Sequence, residues 1–584
     1  MEPIDTINIL KGYQGVADLK NLSFQELRQL AQEVRSYLIT LSQTKEIHLS
    51  SNLGIVEITL AILLNFNLLH DVVIYDTGHQ SYVHKMLTDR KDRIATIRSD
   101  NGLSGLLDMF ESPYDHYSPG HSSNSISVLD GMYQAIADVN KNPDGIYQND
   151  KYHVAIIGDA ALTNGVAFEA LNDLGTSQDP LIILLNDNGM SISKAVGQFA
   201  KNINQLQTDA VNKNIFTELN LQYLGPIDGN DLTVVDEYLK QAKQLAAKGP
   251  VLLHCRTNKG KGLSPAEQDW IGNYHSNSLK AKPSFGTIAY QNLNQKIKED
   301  TKLRILNPAM NLGSGFNQML LDKLPHYQDT GINEEHTVSK ASGMALKGLK
   351  VYNLFYSTFL QRSYDQLVHD VARFNLNMTF LLDRADLSGG DGPSHHGIFD
   401  VNYLKSMPNV TITSPRNFVQ LDQLINLSYE NEKGMFAIRY PKSPFVNIDV
   451  NSSYIIKPGS WETVLSQGYK TVVLTYGPYT DAIYEYLQAQ NLPADLVCAT
   501  YLHNYDQNYL AELCNKYDNI VCYERIYGDG GLVADVYKYI AQHQLTKKVY
   551  SFHYKDFVGH GSTSQLDKNQ GMDLHSLGEL IQSI

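Results

Sequence analysis

Three α/β domains with mostly parallel sheets are what this sequence predicts, and three observations carry the prediction. Short apolar runs that end in turn residues alternate with stretches of helical period, the pattern of parallel sheets covered by helices. The chain's 584 residues exceed what a single hydrophobic core supports. An apolar fraction of 42% with 19% charged residues describes a globular chain, not a fibrous or disordered one.

The first helix is expected at "LSFQELRQLAQEVRSYL", where Ser23 and Glu26 have capping-box spacing, Leu22 and Leu27 can form a hydrophobic staple, and Leu27, Leu30, Ala31, Val34 and Leu38 share one face. From about Val72 to His254, "VVIYD", "HVAIIGD", "LIILLND" and "GPVLLHC" alternate with helical patterns such as "GVAFEALNDLG", giving a first domain over 1–286. The polar "SPAEQDWIGNYHSNSLKAKPSF" reads as a connecting segment. A second domain, 287–452, contains "GLKVYNLFY", "MTFLLDRAD", "NVTITSP" and "MFAIRYPKS", and a third, 453–584, contains "KTVVLTYG", "ADLVCAT" and "NIVCYER".

A formal charge of −14 argues against nucleic acid as a partner, because phosphate backbones are bound by clustered Lys and Arg. Four cysteines (Cys255, Cys498, Cys514, Cys522) include no Cys-x-x-Cys pair and read as reduced thiols of a cytoplasmic protein without a zinc site. No run of about 18 apolar residues is present to span a bilayer, and "MEPIDTINILKGYQGVADLK" lacks a basic segment followed by an apolar core. A soluble, unexported chain acting on small molecules is expected, with no membrane partner.

Residues 153–188 read as one βαβ unit: strand "HVAII", turn Gly158-Asp159-Ala160-Ala161, helix "GVAFEALNDL", strand "LIILL", turn Asn186-Asp187-Asn188. A crossover between parallel strands brings both carboxyl ends to one sheet edge, where open α/β sheets bind ligands. One carboxylate and one amide oxygen there suit Mg²⁺ bridging protein and diphosphate, with a helix starting near Thr163 pointing its amides at the same anion. Spacing alone favours a blander arrangement in which Asp159 merely caps that helix and the Asn-Asp-Asn segment is an ordinary polar turn.

Gly-Asp followed 29 residues later by the second Asn of "NDN" resembles the magnesium and thiamine diphosphate motif of the transketolase-like superfamily. "HLSSNLGIVEIT", "YDTGHQSYVHK", "SPGHSSNSIS", "NDNGMSIS", "INEEHTVSKASGMA", "YSTFLQRSYDQLVHDVA" and "DRADLSGGDGPSHHGIFD" then resemble, in order, the signatures of the 1-deoxy-D-xylulose-5-phosphate synthase family. The resemblance implies a transketolase-like thiamine diphosphate-binding fold, with a diphosphate and Mg²⁺ domain, a pyrimidine-binding domain and a C-terminal transketolase-like domain. It implies a transferase that joins pyruvate to D-glyceraldehyde 3-phosphate with loss of CO₂, uses thiamine diphosphate and Mg²⁺, and works as a homodimer.

The resemblance also assigns roles. Glu334 in "NEEH" matches the glutamate that hydrogen-bonds the cofactor's aminopyrimidine, and Phe359 the aromatic stacked on that ring. His79, Gly120, His121, Ser122, Ala160, Ala161, Asn188 and Lys259 match cofactor contacts, and Asp159, Asn188 and the Met190 carbonyl match the magnesium ligands. His48 and His395, with His275, match active-site histidines for proton transfer. Tyr356, Arg362 and Asp391 match pocket residues, and Arg384 and Arg439 the arginines for the acceptor's phosphate. Away from the resemblance, Phe359 reads as core and the arginines as surface ion pairs.

Several positions depart from the family. "EIHLSS" replaces a Gly-Gly-His start, Glu335 and His396 stand where glutamine is usual, and Leu263 stands where tyrosine is common. Ala160 replaces a glycine, which is tolerable if its φ is negative and costly if positive. Two rival functions remain open: transketolase-type ketol transfer, and a catalytically silent paralogue that only binds thiamine diphosphate.

Overall fold

The computed structural model describes residues 8–139, 151–206, 213–275, 284–442 and 454–584; the domain boundary expected at 452/453 lies outside them. The chain forms two compact units, Met1–Ala281 with Gly331–Asn333, and Lys282–Thr330 with Glu334–Ile584.

The first unit is built on one sheet: β1 (Val72–Tyr75), β2 (His153–Gly158), β3 (Leu181–Asp187), β4 (Gln222–Asp228) and β5 (Val251–Arg256), in the order β1-β2-β3-β5-β4. Every pairing in it is parallel. Its central strands are continuous apolar runs because both faces are covered. Val73, Val154, Ile156, Ile182, Leu184 and Leu253 face one core with helices Phe24–Leu41, Val56–Asn65 and Leu232–Ala246. Their neighbours Val72, Ile74, Ala155, Ile157, Ile183 and Leu252 face another with helices Ser125–Val139 and Gly165–Leu174. Helix Phe24–Leu41 starts with the expected capping box between Ser23 and Glu26.

The second unit holds two sheets. One contains β6 (Leu303–Asn307), β7 (Tyr327–Asp329), β8 (Lys350–Tyr356), β9 (Met378–Asp383), β10 (Val410–Thr413) and β11 (Met435–Arg439). The other contains β12 (Glu462–Leu465), β13 (Thr471–Thr475), β14 (Asp495–Cys498), β16 (Asn519–Tyr527) and β17 (Lys548–Tyr554), while β15 (Tyr501–His503) crosses to the first of these and pairs antiparallel with β10. The orders are β15-β10-β11-β9-β8-β6-β7 and β12-β14-β13-β16-β17. A single apolar core reaches from Phe285 to Val536, so the stretches expected as second and third domains share one compact unit.

Each quoted apolar run forms a strand. Within the described part of the segment expected as a connection, helix Ser264–Glu267 is followed by a turn in which Asp269 accepts hydrogen bonds from the amides of Gly272 and Tyr274 at 3.1 and 2.7 Å. No helix among the described residues is long and apolar enough to cross a membrane.

Charge is buried beside the loop that follows β1. Arg90 grips Asp115 through two nitrogens at 2.5 and 2.8 Å, and His84 Nε2 lies 2.8 Å from the same carboxylate. Lys85 donates to the Ser104 carbonyl at 2.8 Å and to Glu111 at 2.6 Å. Burial alone would raise the Asp115 pKa, but Arg90 and His84 outweigh it and hold the carboxyl at about 2. A carboxyl with a depressed folded pKa gives stability that is present above its ordinary value and lost as pH falls. Asp115→Asn is therefore expected to lower the unfolding free energy at pH 7 by about 3–5 kcal/mol in denaturant titration. The difference from wild type should narrow as the pH falls from the ordinary 3.8 toward about 2.

Candidate active site

Parallel pairing puts the residues that follow β1, β2, β3 and β5 at one sheet edge. Gly158 pairs with Asn186, so Asp159 stands opposite Asp187 and Asn188 is the next residue along. Asp159 is buried at the start of the short helix Asp159–Leu162, and its Oδ1 has no hydrogen-bond partner among the described residues. Burial, reinforced by Asp187, pushes its pKa up to about 8 against the opposing pull of the Ala160 and Asn188 amides and Lys259. Burial likewise lowers the Lys259 ammonium to about 8, with Asp159 pulling the other way. Lys259 Nζ donates to the carbonyl of Ser191.

An orphaned, buried carboxylate oxygen is a group that a cation satisfies. Among the described residues no three of His, Cys, Asp and Glu converge on a metal position. A cation at Asp159 would therefore take one carboxylate and complete its shell with amide, carbonyl and ligand oxygens. That donor set fits Mg²⁺ held together with a diphosphate.

Ala160 has helical backbone within Asp159–Leu162 and is not among the residues with positive φ. Of the two cases raised by its replacement of glycine, the tolerable one holds. The helix expected near Thr163 starts at Gly165, capped by Asn164, whose side chain accepts from Val166 N at 3.1 Å and donates to the Ile332 carbonyl at 2.9 Å.

His48, His79 and His275 form a cluster with ring centroids 5.6–5.7 Å apart. The loop that carries His79 is fastened to the Gly120-His121-Ser122 turn by Asp76, a buried residue the sequence reading does not single out although it sits in the quoted "YDTGHQ". Its carboxylate accepts from the Ser123 amide at 2.8 and 2.9 Å and from Ser125 N at 3.3 Å. Gly78, at φ +80°, packs so closely against Pro119 that a Cβ would lie 2.6 Å from its Cγ.

A second supporting set also escapes the sequence reading. His254, in the quoted "VLLHC", is buried with Nε2 2.9 Å from Asp187 and Nδ1 2.8 Å from the Tyr223 hydroxyl. Asp187 Oδ1 accepts from Gly189 N at 3.1 Å, which fixes the turn presenting Asn188 and Met190. Asn188 Oδ1 accepts from Met190 N at 3.1 Å.

In the second unit Glu334 opens helix Glu334–Leu346 and is buried. Arg362 Nη1 lies 3.5 Å from its Oε2, a long ion pair, and that oxygen has no hydrogen-bond partner among the described residues. Burial raises the carboxyl to about 7, with Arg362 opposing. Four further predicted residues form one stack. The Arg384 guanidinium lies 3.8 Å from the Tyr356 ring centre, Tyr356 stacks on Phe359 at 5.4 Å, and His395 meets the Phe359 edge at 5.5 Å. Asp391 ends the short 3₁₀ turn Gly389–Asp391 and is half-buried.

Arg384 and Arg439 sit at the carboxyl ends of neighbouring strands, Leu382 of β9 pairing with Arg439 of β11. Their surroundings differ. Arg439 is fully buried, donates to Asp400 at 2.9 and 3.1 Å and to the Ala385 carbonyl at 3.3 Å. Of the adjacent histidines, His396 is buried with Nδ1 accepting from Ser388 N and Nε2 donating to the Gly559 carbonyl, both at 2.8 Å, whereas His395 is half-buried.

Residues 10–215 and 206–257 match the family described as 1-deoxy-D-xylulose-5-phosphate synthase, and residues 281–445 the transketolase pyrimidine binding domain. The chain is 38% identical over 612 residues to a 1-deoxy-D-xylulose-5-phosphate synthase of Malacoplasma penetrans, covering 97% of this chain and 98% of that one. Likewise named proteins of Aquifex aeolicus and Listeria monocytogenes are 35% and 37% identical, over 99% and 95% of this chain and 98% and 93% of theirs.

Glu334 has a folded pKa above its ordinary 4.5, so between 4.5 and about 7 the folded state keeps a proton that the unfolded chain releases. Stability from this group therefore falls as pH rises through that window. Glu334→Gln should melt at a higher temperature than wild type at pH 8, with the difference closing by pH 5; equal melting at pH 8 would refute the assignment. Ala160→Gly should lower the unfolding free energy by about 0.5–1 kcal/mol, since glycine adds only unfolded-state entropy where φ is negative. A rise in stability would mean that φ is positive.

Proposed function

The chain belongs to the 1-deoxy-D-xylulose-5-phosphate synthase family, and from that premise we propose that it condenses pyruvate with D-glyceraldehyde 3-phosphate, releasing CO₂ and forming 1-deoxy-D-xylulose 5-phosphate, a precursor of isoprenoids, thiamine and pyridoxal. The single observation that carries the residue-level reading is Glu334, a buried carboxyl with one unsatisfied oxygen and a pKa of about 7. Such a group holds a proton near neutrality and can share it with a ring nitrogen. Bound thiamine diphosphate supplies the electron sink that decarboxylation of pyruvate requires.

The chain's own groups divide the remaining work. Asp159, Asn188 Oδ1 and the Met190 carbonyl would hold Mg²⁺. His79, the Gly120-His121-Ser122 turn, the amides of Ala160 and Ala161, and Lys259 would meet the diphosphate. Phe359 offers a flat apolar face to the pyrimidine, and His48, His275 and His395 move protons at the substrate oxygens. Arg384, splayed on Tyr356, receives the phosphate of the acceptor, with Arg362 and Asp391 beside the substrates. Arg439 is expected from the sequence as the second arm of that phosphate clamp. Arg384 also pairs with a carboxylate, that of Asp383, but keeps part of its side chain exposed; Arg439 is fully buried on Asp400, so we assign it to holding the backbone of Ala385, next to Arg384. The reading carries a homodimer as the assembly and the cytoplasm as the compartment, the latter supported by four buried, unpaired cysteines.

The test is CO₂ release from pyruvate by purified protein supplied with MgCl₂ and thiamine diphosphate, with and without D-glyceraldehyde 3-phosphate. Turnover that needs the aldehyde, and that falls about 10²–10⁴-fold in Glu334→Gln, is expected. Ketose donors consumed with no CO₂ from pyruvate would replace the reading by ketol transfer. No turnover in either protein would leave a silent binder of thiamine diphosphate.

A further inference from the structure

We infer that Asn52 is a positioning residue for the histidine cluster, and that the six-residue helix Leu49–Gly54 is the clip that gathers His48, His79 and His275 from distant parts of the chain. The inference rests on the reading of His48 given above. Asn52 is fully buried. Its Nδ2 donates to the carbonyls of His48 at 2.7 Å and His79 at 2.8 Å, while its Oδ1 accepts from Tyr82 N at 2.8 Å. One carboxamide thus uses both protons and its oxygen on three backbone positions. Tyr82 closes the circuit, its hydroxyl lying 3.1 Å from His48 Nδ1.

The neighbouring serines do the same for the other segments. Ser51 Oγ lies 3.2 Å from His79 Nε2. Ser50 donates from N and Oγ to the carbonyl of Tyr274, the residue before His275, at 3.2 and 2.7 Å. The Ser50 carbonyl accepts from Gly260 N, the residue after Lys259, at 2.9 Å. Serine and asparagine are indifferent helix formers. In this buried turn each polar side chain is used on a segment bearing a proposed site residue, so the "SSN" triplet is explained by what it holds. Imidazoles that exchange protons with a substrate need placement to about half an ångström, and loops joined by a single clip lose that placement together.

The test is a pair of double-mutant cycles, Asn52→Ala and Tyr82→Phe each against His48→Ala. Each protein is read in kcat below its melting temperature and in thiamine diphosphate affinity by calorimetry without substrate. Residues acting through His48 are non-additive with its removal. N52A is expected to lower kcat about 30-fold in the wild-type background but no more than about 10-fold beside H48A, the remainder passing through His79, and to weaken cofactor affinity. Y82F deletes only a hydroxyl and keeps the fold even if N52A does not. Its loss of about 3- to 10-fold should vanish beside H48A. Equal factors in both backgrounds, or no loss in Y82F, would overturn the inference. H48A with wild-type kcat would instead overturn the reading of His48 on which it rests.

Discussion

Every strand of the first sheet runs in the same direction, and this collects at one edge the residues that leave β1, β2, β3 and β5. Asp76, Asp159, Asn188 and Lys259 are far apart in sequence, yet the pairing of Gly158 with Asn186 and of Asp187 with Arg256 leaves them little choice of neighbours. Parallel pairing demands crossovers, crossovers bring helices, and helices on both faces make the strands apolar throughout. The polar residues that remain are confined to the strand ends, where backbone groups also become available to a ligand. The same logic recurs in the second unit, where Arg384 and Arg439 leave adjacent strands.

The site groups are held at the expense of stability. Asp159 and Glu334 are carboxyls placed where burial disfavours their charge, and each keeps an oxygen without a hydrogen bond among the described residues. An evolved core without function would replace them with apolar or fully satisfied side chains. Around them the polar groups are paired closely: Asp76 on Ser123 and Ser125, Asp187 on His254, Arg439 on Asp400.

Much of this was legible from residues alone, and the gaps have physical causes. The apolar runs that the sequence announces all form strands, because burial on two faces writes a strong signal. Strands β4, β7, β12, β15 and β17 carry a weaker one and lie at sheet edges, but the edge is not the whole cause: β1 is an edge strand and is read from its run, while β6, inside its sheet, is not. The order of motifs exposes the residues expected to touch a ligand, but those which fasten them, Asn52, Asp76 and His254, look like ordinary polar residues until their hydrogen bonds are seen. Solvent exposure of Arg439 cannot be read from a strand end either; its partner Asp400 lies 39 residues away in sequence.

His396 shows how a departure from the family can be chemically silent. An imidazole that accepts at Nδ1 from Ser388 N and donates from Nε2 to the Gly559 carbonyl presents one acceptor and one donor on a flat frame. A carboxamide presents the same pair, so glutamine, the usual residue, and neutral histidine can serve as isosteres at this position. The exchange holds only while the ring stays uncharged, and burial lowers its proton affinity in that direction. A protonated ring would set an N–H against the Ser388 amide. Between two histidines adjacent in sequence, hydrogen bonding thus makes one a structural amide, while the other, His395, stays half-buried against the edge of Phe359.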